Sequence, residues 1–227
     1  MQGLTPYNLK IISEVLGGVS YPLELLSLLE DKALVVDLGA NIGSFSLACN
    51  ALRPDVRLLA VEPDPNNFIA LKANLSSLNA ELHQIALTEH DGETQLFLGM
   101  QDTVANSVFS GEMVSGQRSV TVQSRDTKSF LEEIAGLNGK IGLLKSDTEG
   151  GEWHLLRLQP QFIAAIPMIF LEYHSASFLE QFLGAVLHSH VIYSGTVRFP
   201  HRGEIALLRK DLVPHEQSRF EILPAGL

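Results

Sequence analysis

Residues 34–43 read LVVDLGANIG, and this stretch decides the fold. The apolar, β-branched run at 34–36 stops at Asp37 and Gly39, and a helical pattern follows at once. This order predicts a strand, a tight turn and the N-terminus of a helix. In an open α/β sheet, that is the place where a nucleotide-like ligand binds.

A second acidic residue supports a ligand of this kind. The apolar run 58–61 ends at Glu62, which follows Gly43 by 19 residues. At the tip of the neighbouring strand, a carboxylate can accept both hydroxyl protons of a ribose. We therefore predict a nucleoside site. The alternative is a plain α/β turn that carries a surface acid at each strand end.

The glycine spacing indicates which nucleoside the site would bind. A pyrophosphate cradle follows the pattern G-x-G-x-x-G, which requires glycines at 41 and 44 when counted from Gly39, whereas the chain has Asn41 and Ser44. Asp37 would also repel a nearby phosphate. S-Adenosylmethionine has a cationic amino-acid tail and no phosphate, so it suits Asp37 better. Gly39 and Gly43 would let the backbone approach such a ligand closely.

Composition narrows the class of protein. The chain has 227 residues, of which 45% are hydrophobic, and this suits one domain with at most a small elaboration. The net charge of −10 argues against DNA or RNA as a partner, because a polyanion binder needs a basic face. No apolar run approaches the ~18 residues of a membrane span, and the N-terminus lacks a signal-peptide core. With Cys49 as its one cysteine, expected to be buried and reduced, we predict a cytoplasmic protein without a membrane partner.

Periodicity predicts the order of the elements. Residues 1–30 show helical spacing in two pieces and would form a lid or a packing segment, ahead of a domain at 31–227. Downstream, apolar runs alternate with helical patterns, which predicts a doubly wound, mostly parallel α/β sheet with an antiparallel terminal strand. The predicted strands are 34–37, 57–61, 82–87, 94–98, 119–123, 141–146, 168–173, 191–197 and 204–208, with 82–87 and 94–98 forming a hairpin. The predicted helices are 42–52, 63–78, 127–135, 149–158 and 177–188, and 103–117 is a predicted polar loop.

Four blocks of sequence carry a family resemblance. They are VVDLGANIGSFSLA at 35–48, AVEPDPNNFIALKANLSSLN at 60–79, LLKSDTEGGEWHLL at 143–156 and IFLEYH at 169–174. In this order they resemble the FkbM family of S-adenosylmethionine-dependent methyltransferases, and K-x-D-x-E-G-x-E-W is the most specific part. The resemblance implies a class I, seven-stranded, Rossmann-like sheet of order 3-2-1-4-5-7-6. It also implies methyl transfer to oxygen, often a hydroxyl of a sugar, polyketide or other natural product.

The cofactor site is then expected at the ends of the first three strands. Glu62 would bind the ribose hydroxyls, Asp37 and Gly39 would face the methionine part, and Asn41 would shape the turn. Phe68 would pack either on adenine or in the core. The remaining predicted cofactor contacts are Gly43, Ala86 at the tip of the third strand, Asn106 and Ser107 in the polar loop where the family lines its pocket, and Asp147.

Three residues are the candidates for catalysis. Asp147 ends the strand at 141–146 and would lie near the sulfonium and the acceptor. Glu172 and His174 are two residues apart on a strand, so they share a face. A hydroxyl loses its proton as it attacks a methyl carbon, and a histidine near pH 7 is a suitable base, with a bystander histidine as the alternative. Glu149 and Glu152 are expected to divide between capping a helix and lining the pocket.

Other possibilities stay open at this point. The chain has no dense ligand motif, so we predict no metal; Mg²⁺ or Mn²⁺ bound by Asp147, Glu172 and His174 is the alternative. A nicotinamide-dependent oxidoreductase and a non-catalytic scaffold are the rival functions. For a methyltransferase we expect a small-molecule hydroxyl acceptor. Arg118, Arg125, Arg198 and Arg202 could hold an acidic acceptor, although solvated surface arginines are the commoner outcome.

Overall fold

A large sheet forms the centre of the molecule. The computed structural model describes residues 6–18, 20–98, 118–199 and 201–213. Within these ranges the strands are β1 (Leu34–Leu38), β2 (Arg57–Val61), β3 (Ala80–His83), β4 (Ala86–Thr88), β5 (Gly92–Phe97), β6 (Ser119–Asp126), β7 (Ile141–Ser146), β8 (Met168–Tyr173), β9 (His190–Phe199) and β10 (Arg202–Arg209).

The large sheet has the predicted topology. Its order is β3-β2-β1-β7-β8-β10-β9, which is 3-2-1-4-5-7-6 when only its own strands are counted. Neighbouring strands in the series β3, β2, β1, β7 and β8 pair in parallel. β10 is antiparallel to both of its neighbours, β8 and β9. The carboxyl ends of β1, β2 and β7 therefore lie side by side, as a Rossmann-like methyltransferase fold requires.

A second, three-stranded sheet was not predicted. The expected strand 82–87 is interrupted, so that β3 belongs to the large sheet and β4 to the small one, whose order is β4-β6-β5. The predicted hairpin is wrong, because β4 and β5 do not pair with each other: β4 is parallel to β6, and β5 is antiparallel to β6. The N–H of Leu98 donates 2.8 Å to the carbonyl of Arg118, which joins the two described residues on either side of residues 99–117.

Three of the described α-helices, α3, α4 and α6, start at a capping side chain. Asp64 accepts hydrogen bonds from two backbone N–H groups at the start of its helix, and Asp126 and Ser175 each accept one. The segment predicted as a helix at 149–158 is a 3₁₀ helix at Gly151–Arg157. The helices are α1 (Pro6–Leu16), α2 (Ser44–Leu52), α3 (Pro65–Asn74), α4 (Thr127–Asn138), α5 (Pro160–Ala164), which was not predicted, and α6 (Ala176–Val186).

The N-terminal segment packs on the sheet. It consists of α1 and a 3₁₀ helix at Leu23–Leu28. Tyr21 is buried, stacks on Phe170 of β8 at 5.7 Å between ring centroids, and meets Phe45 of α2 edge-on at 5.1 Å. Beyond this contact, the guanidinium of Arg53 donates to carbonyl groups at the end of the 3₁₀ helix. Packing is therefore part of what residues 1–30 do, and the domain division at residue 30 stays a prediction.

The structure also bears on the state of Cys49 and on whether a helix could span a membrane. Cys49 has no exposed surface, and burial raises the pKa of its thiol well above the usual range, as expected of an unreactive core cysteine. Among the residues that the structure describes, no helix is long and apolar enough to cross a membrane.

Candidate functional site

A cavity opens at the carboxyl ends of β1, β2 and β7. It encloses about 1130 Å³, counting the part that is open to solvent. Its wall combines the turn after β1, the tip of β2, the start of β4, the residues that follow β7, and parts of α1, β8 and the β9–β10 hairpin. The acidic and basic side chains on this wall are Glu14, Glu62, Lys145, Asp147, Glu149, Glu172, Arg198 and Arg202.

Glu62 lies where the sequence predicts it, at the tip of β2. Its surface is 5% exposed, and its carboxylate accepts 2.8 Å from the N–H of Asn41 and 2.9 Å from the N–H of Asp64. Burial raises the pKa of Glu62 to about 7, although these two donors act in the opposite direction. A carboxylate offers about four acceptor positions, so these bonds leave capacity for a ligand hydroxyl.

The turn after β1 has a backbone that few residues can adopt. Gly39 has φ +75°, and a Cβ placed on it would lie 1.7 Å from the carbonyl oxygen of Asp147. Asn41 has φ +52°, and its side-chain oxygen accepts 2.7 Å from the N–H of Ile42. Gly43, at φ +92°, is the N-cap of α2. Gly39 and Asn41 line the cavity, whereas Gly43 faces Leu71 and is not among the lining residues.

Asp37 requires a correction. It is fully buried and is not among the residues that line the cavity. Its carboxylate lies 3.0 Å from the ammonium of Lys145 and accepts 2.7 Å from the hydroxyl of Ser46. The structure therefore places Asp37 behind the wall, with Lys145 on the wall, and does not bring Asp37 to a cationic ligand.

Lys145 is held on several sides. Its ammonium donates 2.7 Å to the carbonyl of Gly39 and 3.2 Å to that of Leu38, and it lies 3.9 Å from Asp147. Burial alone would lower the pKa of Lys145, but the charges of Asp37 and Asp147 outweigh burial and raise it. The side chain is therefore a fixed cation that ties the turn after β1 to the end of β7.

Asp147 lies on the cavity wall, at the end of β7. Burial and the neighbouring Glu172 raise the pKa of Asp147 well above its usual range, and Lys145 opposes that rise. Its Oδ1 is shielded from solvent and has no hydrogen-bond partner among the described residues. Glu149 lines the cavity, whereas Glu152 accepts from the N–H groups of Thr148 and Gly150, ahead of the 3₁₀ helix, which has no side-chain cap.

His174 is surrounded by carboxylates. Its Nδ1 lies 3.0 Å from Glu152, and its Nε2 lies 3.1 Å from Glu149 and 3.6 Å from Glu172. Burial would lower the pKa of His174, but Glu149 and Glu152 raise it to about 10. The ring is then protonated at neutral pH and has no lone pair with which to accept a proton. This charge state disfavours the predicted role of His174 as a general base.

The two arginines of the β9–β10 hairpin are both paired. Arg202 lies 2.7 Å from Glu172 and 3.3 Å from Glu149, and Arg198 contacts Glu204 and lies 3.6 Å from Glu14. Both arginines line the cavity, which the sequence left open. Because each guanidinium already faces two carboxylates, neither offers an uncompensated charge to an acidic acceptor.

The remaining predicted contacts divide into three groups. Ala86 lines the cavity from the start of β4, together with Leu87. Phe68 is half-buried against a small apolar cluster with Leu71 and Leu75 and does not line the cavity, so the structure favours the core alternative for it. Asn106 and Ser107 lie outside the described residues.

Several lining residues were missed by sequence reasoning. Glu14, Val15, Ser20 and Tyr21 reach the cavity from the N-terminal segment. Their only sequence signal was the position of that segment ahead of β1, which allows it to cover the end of the sheet. Lys145 was not among the predicted site residues, and its ion pair with Asp37 was not foreseen.

The comparison with protein families agrees with the geometry. A model described as the methyltransferase FkbM domain matches residues 37–193, which is more than half of the chain. The chain therefore belongs to the FkbM family of S-adenosylmethionine-dependent methyltransferases.

Individual relatives are distant. The chain is 27% identical to Methyltransferase 1 of Beauveria bassiana over 146 residues, which cover 56% of this chain and 58% of that protein. It is 24% identical to the 2-O-methyltransferase NoeI of Sinorhizobium fredii over 172 residues, which cover 69% of this chain and 70% of that protein. A solved structure of ribosomal protein L11 methylase from Lactobacillus delbrueckii subsp. bulgaricus has a TM-score of 0.49 and 14% identity, with 91% of this chain and 81% of that chain covered. The matched region thus spans little more than half of the first relative.

Proposed function

We propose that this protein transfers a methyl group from S-adenosylmethionine to a hydroxyl of a small molecule. The observation that carries this proposal is the charge on the cavity wall. Glu62, Asp147 and Glu149 expose carboxylates there, while Lys145 and the two hairpin arginines each face carboxylates of the protein already. Such a wall suits a cationic nucleoside without phosphate and disfavours a pyrophosphate.

Different residues of the cavity wall would contact different parts of the cofactor. Glu62 would accept the ribose hydroxyls at the tip of β2, and Ala86 would border the base. Asp147, rather than Asp37, would face the cationic methionine part, because it is the acid beside Lys145 that reaches the cavity. When bound, the cofactor supplies a methyl carbon whose bond to sulfur breaks as the acceptor oxygen bonds to it, while the hydroxyl proton leaves for solvent or a base.

The choice of oxygen as the acceptor has independent support. One relative, which matches 69% of this chain, carries the name 2-O-methyltransferase. Glu149 and Glu172 are oriented by Arg202 and face the cavity, where they can accept hydrogen bonds from hydroxyl groups of an acceptor. Holding the two reactants in line can supply on the order of 7–11 kcal/mol of the barrier reduction, so positioning residues can outweigh a base.

We also propose that residues 1–30 close this cavity from one side. Glu14 on α1 lies 3.6 Å from Arg198 on β9, so an ion pair on the cavity wall joins the segment to the hairpin. Val15 and Tyr21 supply apolar surface to the same wall. The segment would then exclude water from the bound cofactor as well as pack on the sheet.

Thermal unfolding with S-adenosylhomocysteine tests the cofactor. A ligand that binds only the folded protein at 100 times its Kd stabilises it by about 2.7 kcal/mol, so the midpoint of unfolding should rise. Glu62→Gln should lose most of this shift. Glu81→Gln, which removes an exposed carboxylate from the next strand, is the matched control and should keep it. A shift with NADH and none with S-adenosylhomocysteine would refute the proposal, and no shift with either would favour a scaffold.

Transfer itself is tested with methyl-labelled cofactor. Label should pass to hydroxylated small molecules, with sugars as the first set, and mass spectrometry should locate it on oxygen. Label found on nitrogen or carbon of the accepted molecule would contradict O-methylation while leaving the methyltransferase assignment intact.

A further inference from the structure

We propose that the phenol hydroxyl of Tyr21 binds the carboxylate at the amino-acid end of S-adenosylmethionine. Tyr21 lies on the cavity wall, and its surface is 4% exposed. It belongs to the segment at 1–30 and precedes residues 37–193, which the family model matches. The identity of the ligand rests on the proposed function, whereas the position and the charge state of the hydroxyl do not.

Two aromatic neighbours fix the ring of Tyr21. It stacks on Phe170 with an angle of 9° between the ring planes, and Phe45 meets it at 69°. Phe45 and Phe170 also contact each other edge-on, at 6.1 Å between ring centroids. Because the ring is packed on these sides, the hydroxyl oxygen keeps its place and the O–H group turns about the C–O bond.

The register of the sheet brings two carboxylates close to this cluster of rings. Phe170 of β8 pairs with Lys145 of β7. Asp147 and Glu172 each follow one of these residues by two positions, so they share its face of the sheet and lie one step nearer to the cavity. After burial, the charges of Asp147 and Glu172 are the main causes that raise the pKa of Tyr21 well above its usual range. The phenol therefore keeps its proton at neutral pH and is a hydrogen-bond donor.

This donor has no partner within the part of the chain that the structure describes. No hydrogen bond joins the hydroxyl of Tyr21 to a described residue. The Oδ1 of Asp147 also has none, so the two groups do not bond to each other. A buried donor without a partner is rare in a folded protein. The hydroxyl is therefore available to a ligand in the cavity.

A neutral donor suits the one anionic group of the cofactor. The cations on the wall, Lys145, Arg198 and Arg202, already face carboxylates of the protein. A further carboxylate close to Asp147 would be unfavourable by itself. The ammonium on the same carbon of the cofactor compensates it, because we expect that ammonium to face Asp147. The phenol then donates to the carboxylate without adding a charge.

The start of α2 offers a second hydroxyl on the same side. Ser44 lines the cavity, is 8% exposed and directly precedes Phe45, which touches the ring of Tyr21. The N-cap of α2, Gly43, makes no side-chain hydrogen bond, so the first N–H groups of the helix are not occupied by a side chain of the cap. The carboxylate would lie between Ser44 and Tyr21.

This contact would make the N-terminal segment sensitive to the whole cofactor. A nucleoside that lacks the amino-acid end can still reach Glu62 and Ala86, but it has no group for the hydroxyl of Tyr21. The segment would then add affinity for the complete cofactor and none for a truncated one.

Calorimetry with two ligands tests the proposal. S-Adenosylhomocysteine carries the amino-acid end, and 5′-methylthioadenosine lacks it. Tyr21→Phe keeps the ring and removes the hydroxyl, so the Kd of S-adenosylhomocysteine should rise by at least about tenfold, as expected for a lost hydrogen bond to a charged group. The Kd of 5′-methylthioadenosine should stay within about twofold, because the cycle of two ligands and two proteins isolates the contact.

Tyr193→Phe is the matched control. The hydroxyl of Tyr193 on β9 donates 3.4 Å to Glu24 of the same N-terminal segment, and Tyr193 does not line the cavity. This variant should bind both ligands as the unmodified protein does. Equal weakening by Tyr21→Phe and Tyr193→Phe would mean that a loosened segment, rather than a contact with the ligand, explains the effect, and would overturn the proposal.

The other outcomes also decide the proposal. Unchanged binding of S-adenosylhomocysteine by Tyr21→Phe removes this inference alone, and so does equal weakening of both ligands. Failure of the unmodified protein to bind either ligand removes the proposed function and this inference with it.

Circular dichroism reports whether Tyr21→Phe folds, and a measurement on the unmodified protein stands in if it does not. The chain has four tyrosines, so with ¹³C at Cζ of tyrosine the nuclear magnetic resonance signal of Tyr21 can be assigned by elimination from variants of the other three. That signal should move when S-adenosylhomocysteine is added and stay in place with 5′-methylthioadenosine. Equal movement with both ligands, or none with either, overturns the proposal.

Discussion

The ammonium of Lys145 and the carboxylate of Asp37 form a buried ion pair at 3.0 Å between two neighbouring strands. The two residues are directly opposite in the pairing of β1 with β7. Both are almost inaccessible to solvent, at 4% and 0% exposure. Asp37, the acidic residue of the stretch at 34–43, therefore holds Lys145 in position in the cavity wall.

Replacing Lys145 should lower the free energy of unfolding. In Lys145→Met the carboxylate of Asp37 stays buried without its partner, and breaking a buried pair in this way typically costs about 3–5 kcal/mol. Urea denaturation should show this loss. The double variant Lys145→Met with Asp37→Asn should recover most of it, because the uncompensated charge is gone. A loss below about 1 kcal/mol in the single variant would show that the pair is unimportant for stability.

Glu62 should make the stability of the ligand-free protein depend on pH. Its pKa is about 7 in the folded protein and 4.5 in an unperturbed glutamate, so the unfolded chain releases this proton at lower pH. The free energy of unfolding should therefore decrease as the pH rises from about 4.5 to 7, by up to about 3 kcal/mol from this group. Denaturation at several pH values measures the slope, and Glu62→Gln should lack this contribution. A Glu62→Gln protein with the same slope would contradict the assignment.

The same group should control cofactor affinity in the opposite direction. Ribose hydroxyls donate to a carboxylate better than to a carboxylic acid, so binding should favour the charged form of Glu62. With a pKa of about 7, the dissociation constant of S-adenosylhomocysteine should be about tenfold higher at pH 6 than well above pH 7. Calorimetry across this range measures the effect. Affinity that does not change with pH in the unmodified protein would argue against Glu62 as the ribose ligand.

Gly39 should not tolerate a side chain. Alanine there would adopt φ +75° and place its Cβ 1.7 Å from a backbone oxygen, so Gly39→Ala should lose roughly 3 kcal/mol or more. Gly136 in α4 is the control: it is exposed, and a Cβ on it would meet nothing within 4 Å. Gly136→Ala should instead stabilise the protein by about 0.5–1 kcal/mol. Thermal unfolding of both variants tests the contrast, and a mild effect at Gly39 would contradict the close approach described above.

Arg53 should fasten the N-terminal segment. Its guanidinium donates to the carbonyl groups of Leu26, Leu29 and Glu30 at 2.8, 3.0 and 3.2 Å. Arg53→Ala should cost about 1–3 kcal/mol in the free energy of unfolding, because carbonyl groups lose charged donors. Arg53→Lys should restore little, since lysine lacks the planar fork.

The control for this prediction is Arg125, whose ion pairs with Asp91 and Glu133 are exposed. Arg125→Ala should cost no more than about 1 kcal/mol. Equal losses in Arg53→Ala and Arg125→Ala would remove the special role of Arg53.

The large sheet could be predicted because its signals are local. β2, β7 and β8 have the predicted bounds, since each is a buried apolar run bordered by turn residues. The small sheet could not, because its central strand β6 pairs with two segments about 30 residues earlier, and pairing over such distances leaves no mark in the pattern of one strand. The predicted strand 82–87 also ran across the break between β3 and β4, which falls at Gln84 and Ile85.

The site was predictable in position and less so in charge state. Glu62 and Asp147 could be placed at strand tips from the order of the strands alone. The pairing of Asp37 with Lys145 depends on the register between β1 and β7, which the sequence does not specify. The protonation of His174 depends on Glu149 and Glu152, which reach it from the segment after β7, and such contacts follow only from three-dimensional packing.

The hydrogen bond between Leu98 and Arg118 has a consequence for the length of chain that can lie between them. The chain leaves the small sheet and returns to it at one point, two residues beyond Leu96 on the cavity wall. The entropy of closing a loop varies slowly with its length, so the connection between these two anchors can be exchanged or resized at little expense to the rest of the fold. A change in the length of residues 99–117 should therefore leave the pairing of β5 with β6 intact.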